Sequence, residues 1–400
     1  MGAVDSAQRD WGASGLAHLT GLPSGAPDFS RAPVLAAVRS AAADLERRLG
    51  ITVNAAELLA GRAALLGLSR RGRISAGGAT RLIAARDAWC ALTLSRPDDV
   101  DAVPALVESS ERQDDPWPVV QSWAAPLVAA DVVVRARLLD LPAAVLGETA
   151  AAPPAVRRIG SAAAARGPSG LLVVDMSSMW AGPLCGHLLR RAGATVVKVE
   201  AAARPDGTRT GSPAFFDWMN GGKLCYTADF DSAARLRDLL EAADVVIESS
   251  RPAALRRRGL GPDGVAARDG RVWVRITGYG GDGERADRTA FGDDAAVSGG
   301  LVGRSAGGPV FCGDAIADPL TGLHAALGVA ESLARGGGEL VDVAMAAVAA
   351  TYASLPESRA EGDCPALTPR APGPQPRAAD LGADNHRVEQ LIAERRNTPC

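Results

Sequence analysis

The sequence is almost without lysine. Of 43 basic residues only Lys198 and Lys223 are lysines, and arginine fills the other positions. Coding bias explains the shortage, although both survivors fall in the half of the chain that carries the motifs below. No apolar run reaches the roughly 18 residues of a membrane span. The N-terminus, MGAVDSAQRDW, has no signal-peptide apolar core, so a soluble, cytoplasmic protein is expected. The six cysteines (Cys90, Cys185, Cys225, Cys312, Cys364 and Cys400) include no C-x-x-C pair. That argues against a metal or redox motif and for structural thiols in a reducing compartment. A net charge of −3 gives no electrostatic case for nucleic acid or an anionic membrane. Two phosphate-binding loops are also missing: no G-x-G-x-x-G follows a strand, and no G-x-x-x-x-G-K-[ST] occurs.

What remains is an ordinary soluble composition, 47% hydrophobic and 22% charged over 400 residues, with room for two domains. The chain is organised around Leu171 to Glu200. Leu171 to Val174 is an unbroken apolar run, expected as a strand buried on both faces. A turn with Gly182 and Pro183 leads into a helix marked by Leu184, Leu188 and Leu189 and ended by Gly193. Thr195 to Val199 is a second, β-branched strand. Strand, helix and strand at this spacing make a βαβ unit and imply a parallel sheet. The turn from Asp175 to Pro183 holds one glycine and the bulky Trp180, so the ligand is not expected to be a conventional dinucleotide.

Elsewhere the pattern predicts helices at 33–49 and 55–68, and a loop at 70–80 in which Gly77 and Gly78 allow close backbone approach. A hairpin arm over 81–94 and helices at 100–111, 117–124 and 129–139 follow. Residues 147–169 are rich in Ala, Pro and Gly and mark a boundary. Later come a polar loop at 203–212, a helix at 232–242, and strands at 244–248 and 272–277. A Gly- and Asp-rich loop at 278–294, a helix at 318–333, a strand at 340–343 and a closing helix at 385–395 complete the chain. The expected fold is α/β: a Rossmann-like parallel-sheet large domain with a smaller α+β N-terminal domain. The expected divisions are 1–150 for the small domain, 151–169 for a linker, 170–350 for the large domain and 351–400 for a proline-rich tail with its helix.

Six segments, in order across residues 170–345, carry a resemblance. They are VVDMSSMWAGPLCGHLLRRAGATVVKVE, WMNGGK, ADVVIESSRPAALRRRGLG, RVWVRITGYGGDG, SGGLVG, and DAIADPLTGLHAALGVAESL with VDVAM after it. Together they resemble the family III CoA-transferases, the CaiB/BaiF family, which also includes α-methylacyl-CoA racemases. Residues 72–145 look like the family's small domain moved to the N-terminus, and the family normally forms interlocked dimers. A homodimer is therefore expected, with a hetero-oligomer as the alternative.

The resemblance implies transfer of CoA between an acyl-CoA and a carboxylic acid, with coenzyme A as a substrate and no metal. It makes Asp318, in IADPLTG, the nucleophile. Read alone, Asp-Pro is a helix start, and the two roles are compatible. Asp314 is the nearby competitor; His187 and His324 are expected as bland core or surface residues. For CoA the resemblance selects Trp180 and Ala181 in the first turn, then Ser249, Ser250 and Arg251, with Arg257 for a phosphate. Ala201 and Ser249-Ser250 depart from the family pattern and remove contacts. Gly77 and Gly78 correspond to a glycine-rich lid. No histidine precedes the SG step, so the racemase reading lacks its base. The alternatives are a catalytically weak CoA-binding subunit and an acyl-CoA racemase or isomerase.

Overall fold

The computed structural model describes residues 6–111, 113–358 and 364–397; Cys400 and the first five residues lie outside them. Among the described residues no helix is long and apolar enough to cross a membrane.

A seven-stranded sheet forms the centre. Its spatial order is Ala155–Arg158, Glu339–Ala344, Val272–Thr277, Val245–Glu248, Leu172–Asp175, Thr195–Glu200, Leu224–Thr227. The first pairing is antiparallel and the others are parallel. In chain order the six parallel strands run 3-2-1-4-5-6 outward from the Leu224 edge, the doubly wound arrangement of Rossmann-like sheets. The strands are apolar on both faces, and alternate residues feed two cores. Val173, Val196, Ile247, Val274 and Val341 face one side. Leu172, Val174, Val197, Val246 and Trp273 face the other, beneath helices Ala234–Ala242 and Asn385–Asn397.

The larger core does not divide at residue 150. Helices Pro33–Leu49 and Ala55–Leu66 bury Leu35, Val38, Leu45 and Leu59 in the same cluster as Leu184, Leu188, Leu320 and Leu323. Pro33 sits at the helix start, and Gly50 ends that helix in the left-handed region at φ 66°. Asn54 caps the next helix, its Oδ1 accepting from Ala56 N (3.1 Å) and Glu57 N (3.2 Å). A separate core lies beneath the three-stranded sheet Thr80–Ala84, Trp89–Thr93 and Ala143–Val145. The hairpin expected over 81–94 is its first two strands.

Three further elements differ from expectation. The stretch expected as a linker contributes the edge strand Ala155–Arg158 and is pinned along its own chain, through Gly160 N to Gly338 O and Ala163 N to Gly336 O. The loop expected over 278–294 ends early, because helix Gly292–Ser298 begins inside it. A hairpin, Val302–Ser305 with Gly308–Phe311, follows.

Candidate functional site

Ligands of a doubly wound sheet sit outside the carboxyl ends of the strands, where the strand order reverses. Here that point lies between Leu172–Asp175 and Val245–Glu248. The two turns leaving these strands are the ones from which the CoA contacts were expected. They meet where Ser178 N donates to Ser249 Oγ at 3.3 Å. Ser249 is exposed and Ser250 half-buried beside it.

The first turn is held from beneath by both lysines. Lys223 Nζ donates to Asp175 Oδ2 (2.8 Å), Pro183 O (2.9 Å) and Asn220 Oδ1 (3.0 Å). Lys198 Nζ donates to Asp206 Oδ2 at 2.7 Å and to Ser177 O. The Asp206 carboxylate in turn accepts from Met179 N. All four charged side chains of these pairs are fully buried. Burial pushes Asp175 up, but Lys223 and Lys198 hold it below the usual carboxylate range. Held this way, Met179 takes φ 72°, unusual for a non-glycine residue, and Trp180 is presented at the head of helix Ala181–Arg191.

The Asp318 helix, Ala317–Ala334, packs against that helix at very close range. A Cβ on Gly322 would lie 2.6 Å from Ala181 O, so only glycine lets the two helices approach. The crossing sets Trp180 and Ala181 beside the carboxylates at the start of the Asp318 helix. Asp314 is buried there, with Arg62 Nη1 2.7 Å from each carboxylate oxygen. Arg62 is itself clasped by Trp180 and Phe215, with its Cζ 5.4 and 5.5 Å from the ring centroids. Asp293 accepts from Ala315 N at 3.0 Å. Asp294 accepts from Phe291 N (2.9 Å) and from the Thr93 hydroxyl (3.0 Å) of the small sheet.

Asp318 completes the group. Its carboxylate presses against Gly292, where a Cβ would stand 2.2 Å from Oδ2. Among the described residues no cation lies within ion-pair distance of it, and the side chain is half-buried rather than sealed. Burial raises its pKa; Arg62 opposes this, and Asp293 and Asp314 add to it, for a result of about 7. Asp293 and Asp294 are also pushed up to about 7, chiefly by burial. Ala315, between the two halves of the cluster, has φ 41°. Clustered carboxylates with raised pKa values, held by a strained backbone, are typical of catalytic sites. The arrangement can present one half-buried oxygen nucleophile beside an aromatic-clasped cation.

Gly77 and Gly78, expected as a lid, lie at the same place. The nearest atom to a Cβ on Gly77 would be Arg62 Nη2, at 3.8 Å. Gly78 has φ 90°, and Ser75 in the same loop bonds Asp293. Two other expected contacts are exposed. Arg257 is exposed at the end of helix Pro252–Arg257. Arg251 is occupied by Asp140 (Oδ1, 2.6 Å) and Thr289 (2.7 Å). His324 is half-buried and hydrogen-bonded to Tyr352 Oη at 2.9 Å. Burial lowers the pKa of His187 to about 3. The five described cysteines are buried, and no disulfide joins any two of them.

Sequence reasoning did not single out Arg62, Asp293 or Asp294. Arg62 had one signal, being the only charged residue in the otherwise apolar stretch LLAGRAALL.

Residues 169–379 match CoA-transferase family III. An acyl-CoA transferase of Fusarium pseudograminearum is 32% identical over 204 residues, 44% of each chain. The succinyl-CoA–L-malate CoA-transferase beta subunit of Chloroflexus aurantiacus is 33% identical over 196 residues, 44% of this chain and 48% of that one. A CaiB/BaiF family protein of Brucella suis, of known crystal structure, is 30% identical over 47% of this chain and 55% of its own, with a TM-score of 0.42. The chain thus spans about half the length of the curated relatives it matches. Because the family match runs over more than half of the chain and takes in the strands, turns and helix that build the site, the chain belongs to CoA-transferase family III.

Proposed function

We propose that the protein moves CoA between an acyl-CoA and a carboxylic acid, with Asp318 as the carrier. The observation behind this reading is the contrast between two neighbouring aspartates: Asp314 is sealed onto Arg62, whereas Asp318 is half-buried with no cation bonded to it. An Asp318 oxygen attacks the thioester carbon, the C–S bond breaks, and CoA thiolate leaves a mixed anhydride. The thiolate then attacks the aspartyl carbon and releases the first acid, which gives an aspartyl-CoA thioester. The incoming carboxylate attacks that thioester, and the thiolate released takes the new acyl group and restores Asp318. Thioester and acid are exchanged for their like, so the demand on the protein is positioning and charge stabilisation. Arg62 is the cation available to the developing charge. Incubating the protein with a panel of acyl-CoA donors and acids, read by mass spectrometry, tests the reading; no exchange with any pair counts against it.

The raised carboxylates give this reading a pH signature. A protonated Asp318 is no nucleophile, so kcat/KM for transfer is expected to rise with pH through about 7. Stability runs the other way. Asp293, Asp294 and Asp318 have folded pKa values of about 7 against an ordinary value of 3.8. The folded state therefore holds the extra protons, and the stability they contribute is lost as pH rises from about 4 through about 7. Opposed trends in activity and Tm are the expected result. A rate independent of pH across this window would exclude Asp318 as the titrating nucleophile.

In the same proposal, the loop bearing Gly77 and Gly78 keeps water from the anhydride. A side chain at 77 points toward Arg62. Gly77→Val is expected to hold the loop away and raise acyl-CoA hydrolysis relative to transfer severalfold. Unchanged partitioning between the two would leave the loop a connector.

A further inference from the structure

The four aspartates at the site are not equivalent. Asp314 is sealed, with 1% of its side chain exposed and both oxygens 2.7 Å from Arg62 Nη1. Asp294 is buried and turned toward the small sheet, where its Oδ1 accepts from the Thr93 hydroxyl. Asp293 and Asp318 are half-buried, so they are the two carboxyls of the group that a substrate can touch. Among the described residues neither has an arginine or lysine within ion-pair distance; the one cation at hand, Arg62, is paired with Asp314.

Asp293 joins the nucleophile's turn to the loop that carries Gly77 and Gly78. Its Oδ1 accepts from Ala315 N at 3.0 Å, and Ala315 O accepts from Asp318 N at 2.9 Å. The Ser75 hydroxyl of the loop also bonds it. Thr80 N donates to that hydroxyl at 3.1 Å, which leaves the hydroxyl hydrogen for Asp293. The charged groups facing Asp293 are Asp314, Asp318 and Arg62, with Asp294 beside it on its own helix. Three such carboxylates against one guanidinium do not all ionise together near neutral pH. Arg62 keeps Asp314 ionised, and attack on a thioester needs Asp318 ionised. In the reactive form the remaining proton therefore falls to Asp293.

We propose that Asp293 is a proton shuttle for the CoA sulfur, giving up its proton as the C–S bond breaks and recovering it when sulfur attacks. This rests on the reading of Asp318 as the acyl carrier. As Asp318 displaces sulfur, the bonding pair goes to sulfur and the proton passes to it from Asp293 Oδ2. CoA thiol and an Asp293 carboxylate result. When the thiol attacks the aspartyl carbonyl, Asp293 takes the proton back and the first acid leaves as its carboxylate. The same two transfers recur when the second acid displaces sulfur and sulfur then attacks the new acyl group, so no proton is gained or lost. Electrostatics favour this course. A thiolate released among these carboxylates is repelled, whereas a thiol is not. Burial and Asp314 push Asp293 up to about 7, against the opposing pull of Arg62. That lies below the roughly 8.5 of an ordinary thiol, so the departing sulfur takes the proton, and it is near the pH where a general acid works best.

The test is the pH profile of transfer by the full chain, with the donor and acid pair that exchanges fastest in the mass-spectrometric panel. For the wild type, kcat/KM is expected to rise through about 7 as Asp318 ionises and to fall again at higher pH as Asp293 loses its proton. The two steps belong to the pair, since the carboxyls titrate together. Asp293→Asn should lower transfer by about 10²-fold or more, the scale of a lost general acid, and abolish the falling limb. Hydroxylamine should still mark Asp318 in that variant on long incubation, which shows a folded protein with its nucleophile intact. Asp293→Glu keeps the acid and should keep the limb. The Ser75 hydroxyl stabilises the Asp293 carboxylate, so Ser75→Ala should move the limb to higher pH. Transfer by Asp293→Asn at the wild-type rate, a falling limb that persists in it, or a limb unmoved in Ser75→Ala overturns the shuttle and leaves Asp318 as the carrier. If the wild type exchanges no pair at all, the reading of Asp318 falls first and the shuttle with it.

Discussion

Asp318→Ala is expected to lower CoA transfer by roughly 10⁴-fold or more, the scale on which removal of a covalent nucleophile acts, while CoA still binds. The turns expected to bind CoA are set by buried lysines, and the substitution does not touch those contacts. Folding should not suffer. Asp318 is a carboxylate pushed up to about 7 by burial and by two neighbouring aspartates, so its removal relieves repulsion at neutral pH. The variant is expected to melt at or above the wild-type temperature at pH 8 and to converge with it in acid, where the native carboxyl is neutral. Hydroxylamine added during turnover should attack the activated aspartyl carbonyl, displace the acid or CoA thiolate, and leave a hydroxamate on Asp318 alone, read as a mass shift on its peptide. A shift on the peptide of Asp314, or normal transfer by the alanine variant, would refute the assignment. Asp318→Asn, isosteric but not nucleophilic, separates lost chemistry from lost shape: both variants should be equally inactive.

The sheet could be anticipated because its strands are short β-branched runs buried on both faces, and Val173, Val197 and Val246 admit few other interpretations. Ala155–Arg158 was missed for the opposite reason. It is exposed along its whole length and reads AVRR, so its strand state comes from pairing with Glu339–Ala344 and not from its own pattern. The Val302–Phe311 hairpin was hidden by its glycines, which carry no side-chain periodicity. At the site, the carriers of family motifs were legible, and their electrostatic partners were not. Asp293 and Asp294 have raised pKa values chiefly because they are buried, and Asp293 also because helix Gly292–Ser298 starts beside Asp314. Arg62 lies 252 residues from the carboxylate it binds, a contact that no local spacing can announce. Arg251 shows the converse. Its motif suggested a ligand contact, and the small sheet's neighbour Asp140 occupies it.

The near absence of lysine takes on meaning once both survivors are seen fully buried under one turn. Lys223→Met should be among the most destabilising single changes available, by roughly 3–5 kcal/mol, because it leaves the Asp175 charge buried without its partner. The two hydrogen bonds to Pro183 O and Asn220 Oδ1 go with it. The pH dependence should also reverse. In the wild type, Asp175 has a folded pKa below its ordinary value of 3.8, so its contribution to stability is present above that pH and lost as the carboxyl is protonated. In the variant, burial acts with less opposition, the folded pKa rises, and stability should recover as pH falls toward about 5. Pairing the change with Asp175→Asn removes the stranded charge, and the double variant is expected to regain most of the loss. Urea denaturation of the four proteins at neutral and mildly acid pH closes the cycle. A Lys223→Met protein as stable as the wild type, or a double variant no better than the single, would mean that the ion pair does not hold the turn. If the pair does hold it, the single variant should also bind CoA more weakly, since Trp180 and Ala181 are presented by the backbone that Lys223 fastens from below.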